Sequence, residues 1–286
     1  MTIAVPGEVE PESPLLVTIP GAGGAPPMSI PTGVIIGAAV FTGCGLVAVL
    51  RQQAWEFPVV RALNAVADRS QLLDRGVHAL TSRDLLQGVV LVALIWYLWF
   101  DTADVGVRAR LLIGTFAATL SGLLSRLLQI ILPTHLRPLH TPSLDFVLPM
   151  GVQPDTLNHF DAFPSDHGAV LFGLAIVIYR LRPRLGGPAF VWATIVSVGR
   201  IYEGYHYPSD VVGSVGLALI VVSMFDNHWF ANLAQRLLVL ERTWRPTFYL
   251  LAFLVTYQIA TLFDDVREIG RDVAQVVLHH EPFDGS

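Results

Sequence analysis

Apolar positions in this chain gather in long blocks rather than alternating with polar ones. Apolar runs occur at about 31–50, 85–100, 111–132, 167–180, 187–199, 211–225 and 247–263. A helix rises about 1.5 Å per residue, so crossing the ~30 Å hydrocarbon core of a bilayer takes about 20 residues. The first run, PTGVIIGAAVFTGCGLVAVL, has that length, whereas GPAFVWATIVSVG at 187–199 is short and its helix must extend into flanking polar residues. Small residues within the runs (Ser121, Ser125, Gly213, Ser214, Gly216) are expected to let helices approach closely.

Between the first two runs the pattern changes. Val60, Leu63 and Val66, then Leu72, Val77 and Leu80, recur at helical spacing with arginines between them. That spacing predicts amphipathic helices lying on the membrane surface. NHWFANLAQRLLVLERTWRP and the C-terminal DDVREIGRDVAQVVLHH have the same character. All three segments read as anchors rather than as carriers of chemistry. Residues 1–30, rich in Pro, Gly and Glu, lack the basic start of a signal peptide and read as a flexible tail. The expected fold is all-α, a polytopic membrane helical bundle. Its core would occupy 31–225, with an interfacial helix, an extra C-terminal span and a tail in 226–286.

Composition agrees with a membrane protein: 53% of the 286 residues are hydrophobic and 14% charged, against about 25% charged in soluble domains. All 18 basic residues are arginine, and the net charge of −5 gives no reason to expect nucleic acid as a partner. The single cysteine, Cys44, excludes an intrachain disulfide and reads as a small packing residue. Arg108, Arg110, Arg180, Arg182, Arg184, Arg236, Arg242 and Arg245 fall on one side of the expected bundle. The positive-inside rule makes that side cytoplasmic. The five arginines of 51–84 lie on the other side and run against this assignment.

The opposite side receives two loops with most of the unusual chemistry. One runs from PTHLRPLH (133–140) to FPSDHG (163–168), and the other is RIYEGYHYPSD (200–210). FPSD and YPSD each precede a span, with proline suited to the first helical position. A helix N-terminus offers N–H groups and a positive dipole end to an anion. Ser165 adds a hydroxyl, and Arg137 and Arg200 add bidentate donors for phosphate or carboxylate. His206 precedes Asp210 by four residues, so the carboxylate is expected to accept one imidazole N–H and leave the other nitrogen free to attack. His167 lies in the first turn of the fourth span, where it suits a general acid. A metal site built from His167, His206 and Asp210 is the other reading, but two nearby arginines favour an anion over a dication.

These residues resemble the type 2 phosphatidic acid phosphatase superfamily, membrane lipid phosphatases related in fold to vanadium haloperoxidases. Its motifs are Lys, six residues, Arg-Pro; Pro-Ser-Gly-His; and Ser-Arg, five residues, His, three residues, Asp. Arg137-Pro138 ends the first motif here, Pro164-Ser165-Asp166-His167 matches the second with Asp for Gly, and Arg200, His206 and Asp210 match the third with Gly199 for Ser. The likeness runs from about residue 85 to 225. It implies a six-helix core and a metal-free reaction with no cofactor. In that reaction His206 is the nucleophile, Asp210 orients it, and His167 protonates the leaving group and then activates water. It also implies that Arg137, Arg200 and Ser165 hold the phosphoryl oxygens, and that the site faces the extracytoplasmic side of the plasma (inner) membrane.

The family lysine falls on Ile130, which has no donor. Arg126, one turn earlier, is expected to lean away from the site because helical side chains point toward their N-terminus. His135 is the better-placed substitute. Asp166 needs an arginine partner or must point away from a phosphate, and Glu203 is expected to be solvated or paired with an arginine. His140, His159 and Asp161 have structural or solvated roles in this reading. The expected activity is hydrolysis of a lipid phosphate or diphosphate, polyprenyl diphosphate before phosphatidic acid. A lipid phosphotransferase using the 141–162 loop as an acceptor pocket, and a non-catalytic binder of lipid phosphate, are the competing readings.

Overall fold

The computed structural model describes residues 30–82, 84–157 and 160–262. Each of the seven apolar runs forms a helix: α1 (Ile30–Val49), α4 (Asp84–Asp101), α5 (Val105–Ile131), α6 (Asp166–Leu181), α7 (Pro183–Tyr202), α8 (Pro208–Phe225) and α10 (Arg245–Ala260). The short fifth run is extended at both ends, as its length required, into a helix of 20 residues. The surface segments form α2 (Phe57–Asn64), α3 (Gln71–Ser82) and α9 (His228–Thr243). The expected tail at 1–30 and the C-terminal DDVREIGRDVAQVVLHH lie outside the described residues, except for Ile30. No strand occurs among the described residues.

Of the described helices, three are long and apolar enough by themselves to cross a bilayer: α1, α5 and α8. The rest of the bundle packs on them through small residues. A Cβ on Gly37 of α1 would stand 2.7 Å from the Gly216 carbonyl oxygen of α8, and one on Gly122 of α5 would stand 2.2 Å from Val170 of α6. Only hydrogen fits at such crossings, which are close enough for backbone-level van der Waals contact between helices. Outward-facing apolar side chains such as Ile35, Leu123, Val191 and Phe253 are exposed, as they must be where the solvent is hydrocarbon.

The helices run in alternating directions. Gly33 near the start of α1 meets Ser223 near the end of α8, Gly114 of α5 meets Val177 of α6, and Gly88 near the start of α4 meets Ala260 at the end of α10. The polar loops therefore collect at one end of the bundle. At the other end Arg108 meets Glu241 at 3.1 Å and Arg180 meets Asp226 at 3.1 Å.

The surface segment 51–82 does more than anchor. Glu56 and Asp74 are buried. The Tyr202 hydroxyl donates to Asp74, and His78 Nδ1 lies 2.9 Å from Glu203. Glu203 is thus not solvated: it is buried, and a histidine of α3 contacts it.

Candidate active site

The two PSD sequences start their helices in different registers. In α8, Pro208 is the first helical residue, Tyr207 is the N-cap, and the Tyr207 N–H donates to Asp210 Oδ2 at 2.7 Å. In α6 the cap is Ser165, whose Oγ accepts from the Gly168 N–H at 3.2 Å, so Pro164 precedes the helix altogether. The first-position expectation for proline therefore fails at Pro164, because the serine hydroxyl caps the helix one residue later. Ser125 Oγ and Gln129 Nε2 of α5 both donate to the freed Pro164 carbonyl, at 3.1 and 2.5 Å. The two starts are tied by a bond from the Ser165 N–H to the Asp210 carbonyl, 3.2 Å.

Several N–H groups expected to be ready for an anion are already occupied. The His167 N–H donates to Asp166 Oδ1 at 2.9 Å, and the Ser209 N–H donates to Glu56 Oε1 at 2.6 Å. Recognition of an anion accordingly falls to side chains.

His206 is fully buried. Its Nδ1 donates to the Ala162 carbonyl at 2.9 Å, and Asp210 Oδ2 stands farther off at 3.7 Å. The acceptor expected to be Asp210 is thus a backbone carbonyl of the preceding loop, because Asp210 Oδ2 is taken by the Tyr207 N–H. The consequence for the ring is the one anticipated. With the proton on Nδ1, Nε2 carries the lone pair, and Nε2 is buried with no hydrogen-bond partner among the described residues. Burial, together with the charges of Arg137 and Arg200, pulls the His206 pKa down despite Asp210, so the ring is held neutral.

Arg200 Nε is likewise buried and has no hydrogen-bond partner among the described residues. Its guanidinium lies 4.2 Å from the Tyr205 ring centroid, and one terminal nitrogen reaches the Thr81 carbonyl at 3.5 Å. Arg137 is 1% exposed and is mostly engaged with backbone. It donates to the carbonyls of Phe160 (3.2 Å), Tyr205 (2.7 Å) and Asp161 (3.1 Å). Burial foremost, with Arg200 and Arg126 nearby, brings its pKa down to about 10, which leaves it charged at neutral pH. These contacts fasten both loops around His206, a positioning task the sequence did not reveal.

His167 is buried with Nδ1 2.9 Å from Asp166 Oδ1. Asp166 Oδ2 stands 3.6 Å from Arg126 Nη1. The expectation that Arg126 leans away is therefore wrong. Its side chain crosses the Phe160 ring at 3.8 Å and donates to Gln129 Oε1 at 2.9 Å, which turns it toward α6. Asp166 has the arginine partner it needed. Ile130 is 62% exposed and faces away.

His135 is buried with Nε2 3.1 Å from Asp210 Oδ1, its ring edge-on to Tyr207 at 5.1 Å. It contacts the carboxylate, so its position is that of a partner to Asp210. His140 Nε2 reaches the Pro154 carbonyl at 3.1 Å, and Asp161 Oδ2 accepts from the Thr134 N–H at 2.6 Å, both structural contacts. His159 lies outside the described residues. Among the described residues no group of three or more His, Cys, Asp or Glu side chains is arranged to hold a metal ion.

Two residues at the site were not singled out from the sequence as part of it. Glu56 receives both the N–H and the hydroxyl of Ser209, at 2.6 and 2.8 Å, and so caps α8 from the surface segment. Gln129 links Arg126, Arg137 (3.5 Å) and Pro164. A cavity of about 550 Å³ between α4, α5, α9 and α10, lined by apolar residues such as Trp99, Leu111, Phe248 and Ile259, includes none of these polar side chains.

Comparison with known proteins agrees with the motifs. Residues 110–233 match the PAP2 superfamily. The chain is 22% identical over 169 residues to an undecaprenyl-diphosphatase of Bacillus subtilis (strain 168), covering 59% of this chain and 81% of that protein. It is 31% identical over 148 residues to a putative undecaprenyl-diphosphatase of Escherichia coli (strain K12), covering 49% of this chain and 65% of that protein. No solved structure matches. The matched segment carries both PSD helix starts and all three motif remnants, so this part of the chain is similar to the PAP2 superfamily, and with the relatives it indicates a phosphatase.

Proposed function

We propose that this membrane phosphatase hydrolyses a polyprenyl diphosphate to the monophosphate and inorganic phosphate through a phosphohistidine on His206. The observation that carries the reading is the buried His206 Nε2, without a partner and with its Nδ1 proton held by the Ala162 carbonyl, beside the buried Nε of Arg200. Undecaprenyl diphosphate is favoured because two relatives are undecaprenyl-diphosphatases by name; phosphatidic acid is the second candidate.

In the first step Nε2 attacks the terminal phosphorus. The bond to the bridging oxygen breaks, and His167 gives that oxygen a proton. In the second, His167 takes a proton from water, the water oxygen bonds to phosphorus, and the N–P bond breaks to release inorganic phosphate, restoring the neutral His206 and the protonated His167. Arg200, the remaining donor capacity of Arg137, and Ser165 stabilise the phosphoryl oxygens, where preorganised charge acts most strongly. Asp210 and His135 hold the start of α8 beneath the nucleophile. The reaction uses no cofactor. The site faces the extracytoplasmic side of the inner membrane, where the diphosphate headgroup lies.

Phosphate release by detergent-purified protein over a panel of lipid phosphates and diphosphates, with chelator present, tests this. Turnover that resists chelator and drops at least about 10³-fold in His206→Ala is expected. Release that survives in His206→Ala overturns the phosphohistidine. A folded protein inactive on every lipid points instead to a binder or to a transferase lacking its acceptor.

A further inference from the structure

From the side chains that converge on His167, we infer that Arg126 and Asp166 form a positioning pair for the proton donor. The inference rests on the phosphohistidine reading above, in which His167 serves the leaving oxygen. Asp166 opens α6 and is buried, yet its carboxylate does not face away from its own helix. One oxygen accepts from both the N–H and the Nδ1 of the adjacent His167, each at 2.9 Å. The other stands 3.6 Å from the Arg126 guanidinium. Arg126 is itself held on two sides, by the Phe160 ring at 3.8 Å and the Gln129 side-chain oxygen at 2.9 Å. Gln129 is fixed in turn by its 2.5 Å bond to the Pro164 carbonyl, immediately before the cap of α6.

The physical consequence concerns one proton. A carboxylate on Nδ1 keeps that nitrogen protonated and sets the ring orientation, so Nε2 is the atom that gives and takes the proton. It also favours the imidazolium needed to protonate the leaving oxygen. A buried carboxylate without a counter-charge would be costly, and Arg126 supplies that charge. The site then contains two separately oriented histidines, His206 through the Ala162 carbonyl and His167 through Asp166 and Arg126. A glycine at 166 has no side chain with which to orient His167.

The test separates leaving groups. Phosphatidic acid releases an alkoxide that needs a proton, whereas p-nitrophenyl phosphate releases a phenolate that needs none. The comparison uses kcat/KM, which reads the first half-reaction alone. Asp166→Asn and Asp166→Gly are expected to lose about tenfold or more on phosphatidic acid, less than the roughly 10²–10⁴-fold of the general acid itself because His167 remains, and less than about threefold on p-nitrophenyl phosphate. Arg126→Gln should show the same selectivity and Arg126→Lys should restore most of the loss.

Equal losses on both substrates, or none on either, overturn the pairing. A reading independent of turnover is the nitrogen-15 spectrum of the imidazoles in the purified protein. At a pH high enough for the ring to be neutral, His167 is expected as the Nδ1–H form, shifted toward the other tautomer in Asp166→Asn; an unchanged spectrum sinks the inference even if no substrate is turned over. His206→Ala distinguishes the two levels, because persistent turnover there refutes the phosphohistidine itself.

Discussion

Asp210 lies between two histidines whose surroundings push them in opposite directions. His206, fully buried near Arg137 and Arg200, is driven toward the neutral form despite the carboxylate. For His135 burial also acts downward, but Asp210 at 3.1 Å outweighs it, Glu56 adds to the pull, and the pKa rises. The arrangement keeps the His206 imidazole neutral, as the proposed attack requires, and favours the protonated form of His135 beside Asp210. The raised group gives stability that is fully present below the unfolded histidine value of about 6.5 and lost as pH climbs through the higher folded value. The melting temperature in detergent is therefore expected to fall as pH rises above about 6.5, and His135→Gln should remove that part of the slope. A variant with the same slope as the parent would show that the His135–Asp210 contact carries no linked proton.

At the scale of elements, helix existence was legible in the sequence while helix partners were not. All seven apolar runs became helices, because block length and hydrophobicity are local properties. Contacts such as Glu56 with Ser209 and His78 with Glu203 span more than a hundred residues, and no local spacing announces them. Arg126 was misread for a related reason: backbone lean toward the N-terminus is a tendency, and here the Phe160 ring and Gln129 redirect the side chain.

Gly199 is the instructive departure. Against the family motif it looks like a lost hydroxyl, but a Cβ there would stand 2.5 Å from the Thr81 methyl of α3. The glycine lets α3 close on α7 beside Arg200, which reaches the Thr81 carbonyl. Gly199→Ser is expected to destabilise by about 1–3 kcal/mol through overpacking. Adding Thr81→Ser removes the offending methyl and keeps the hydroxyl that donates to the Val77 carbonyl. The double variant should recover most of the loss in thermal unfolding, and additive losses would mean the clash is not with Thr81.

At the scale of the whole molecule, alternating helix directions explain why motif pieces from three parts of the chain meet. The ends of α5 and α7 and the starts of α6 and α8 share one end of the bundle, so Arg137, carried on the long 132–165 connection, gathers there with His167, Arg200 and His206. The same alternation sends Arg108, Arg180, Arg184 and Arg245 to the opposite end. In the proposed orientation the end with arginine-rich short loops faces the cytoplasm and the site end the extracytoplasmic side. Cys44 is the only cysteine, so Cys44→Ala gives a background free of thiols. Single cysteines at the exposed positions Gln153, in the loop at the site end, and Arg184, at the turn between α6 and α7, then report each face. In intact cells a membrane-impermeant maleimide should label Gln153→Cys and spare Arg184→Cys, with both labelled after permeabilisation. The reverse pattern would invert the bundle and put the phosphatase chemistry on the cytoplasmic leaflet, where the five arginines of 51–84 would also satisfy the positive-inside rule.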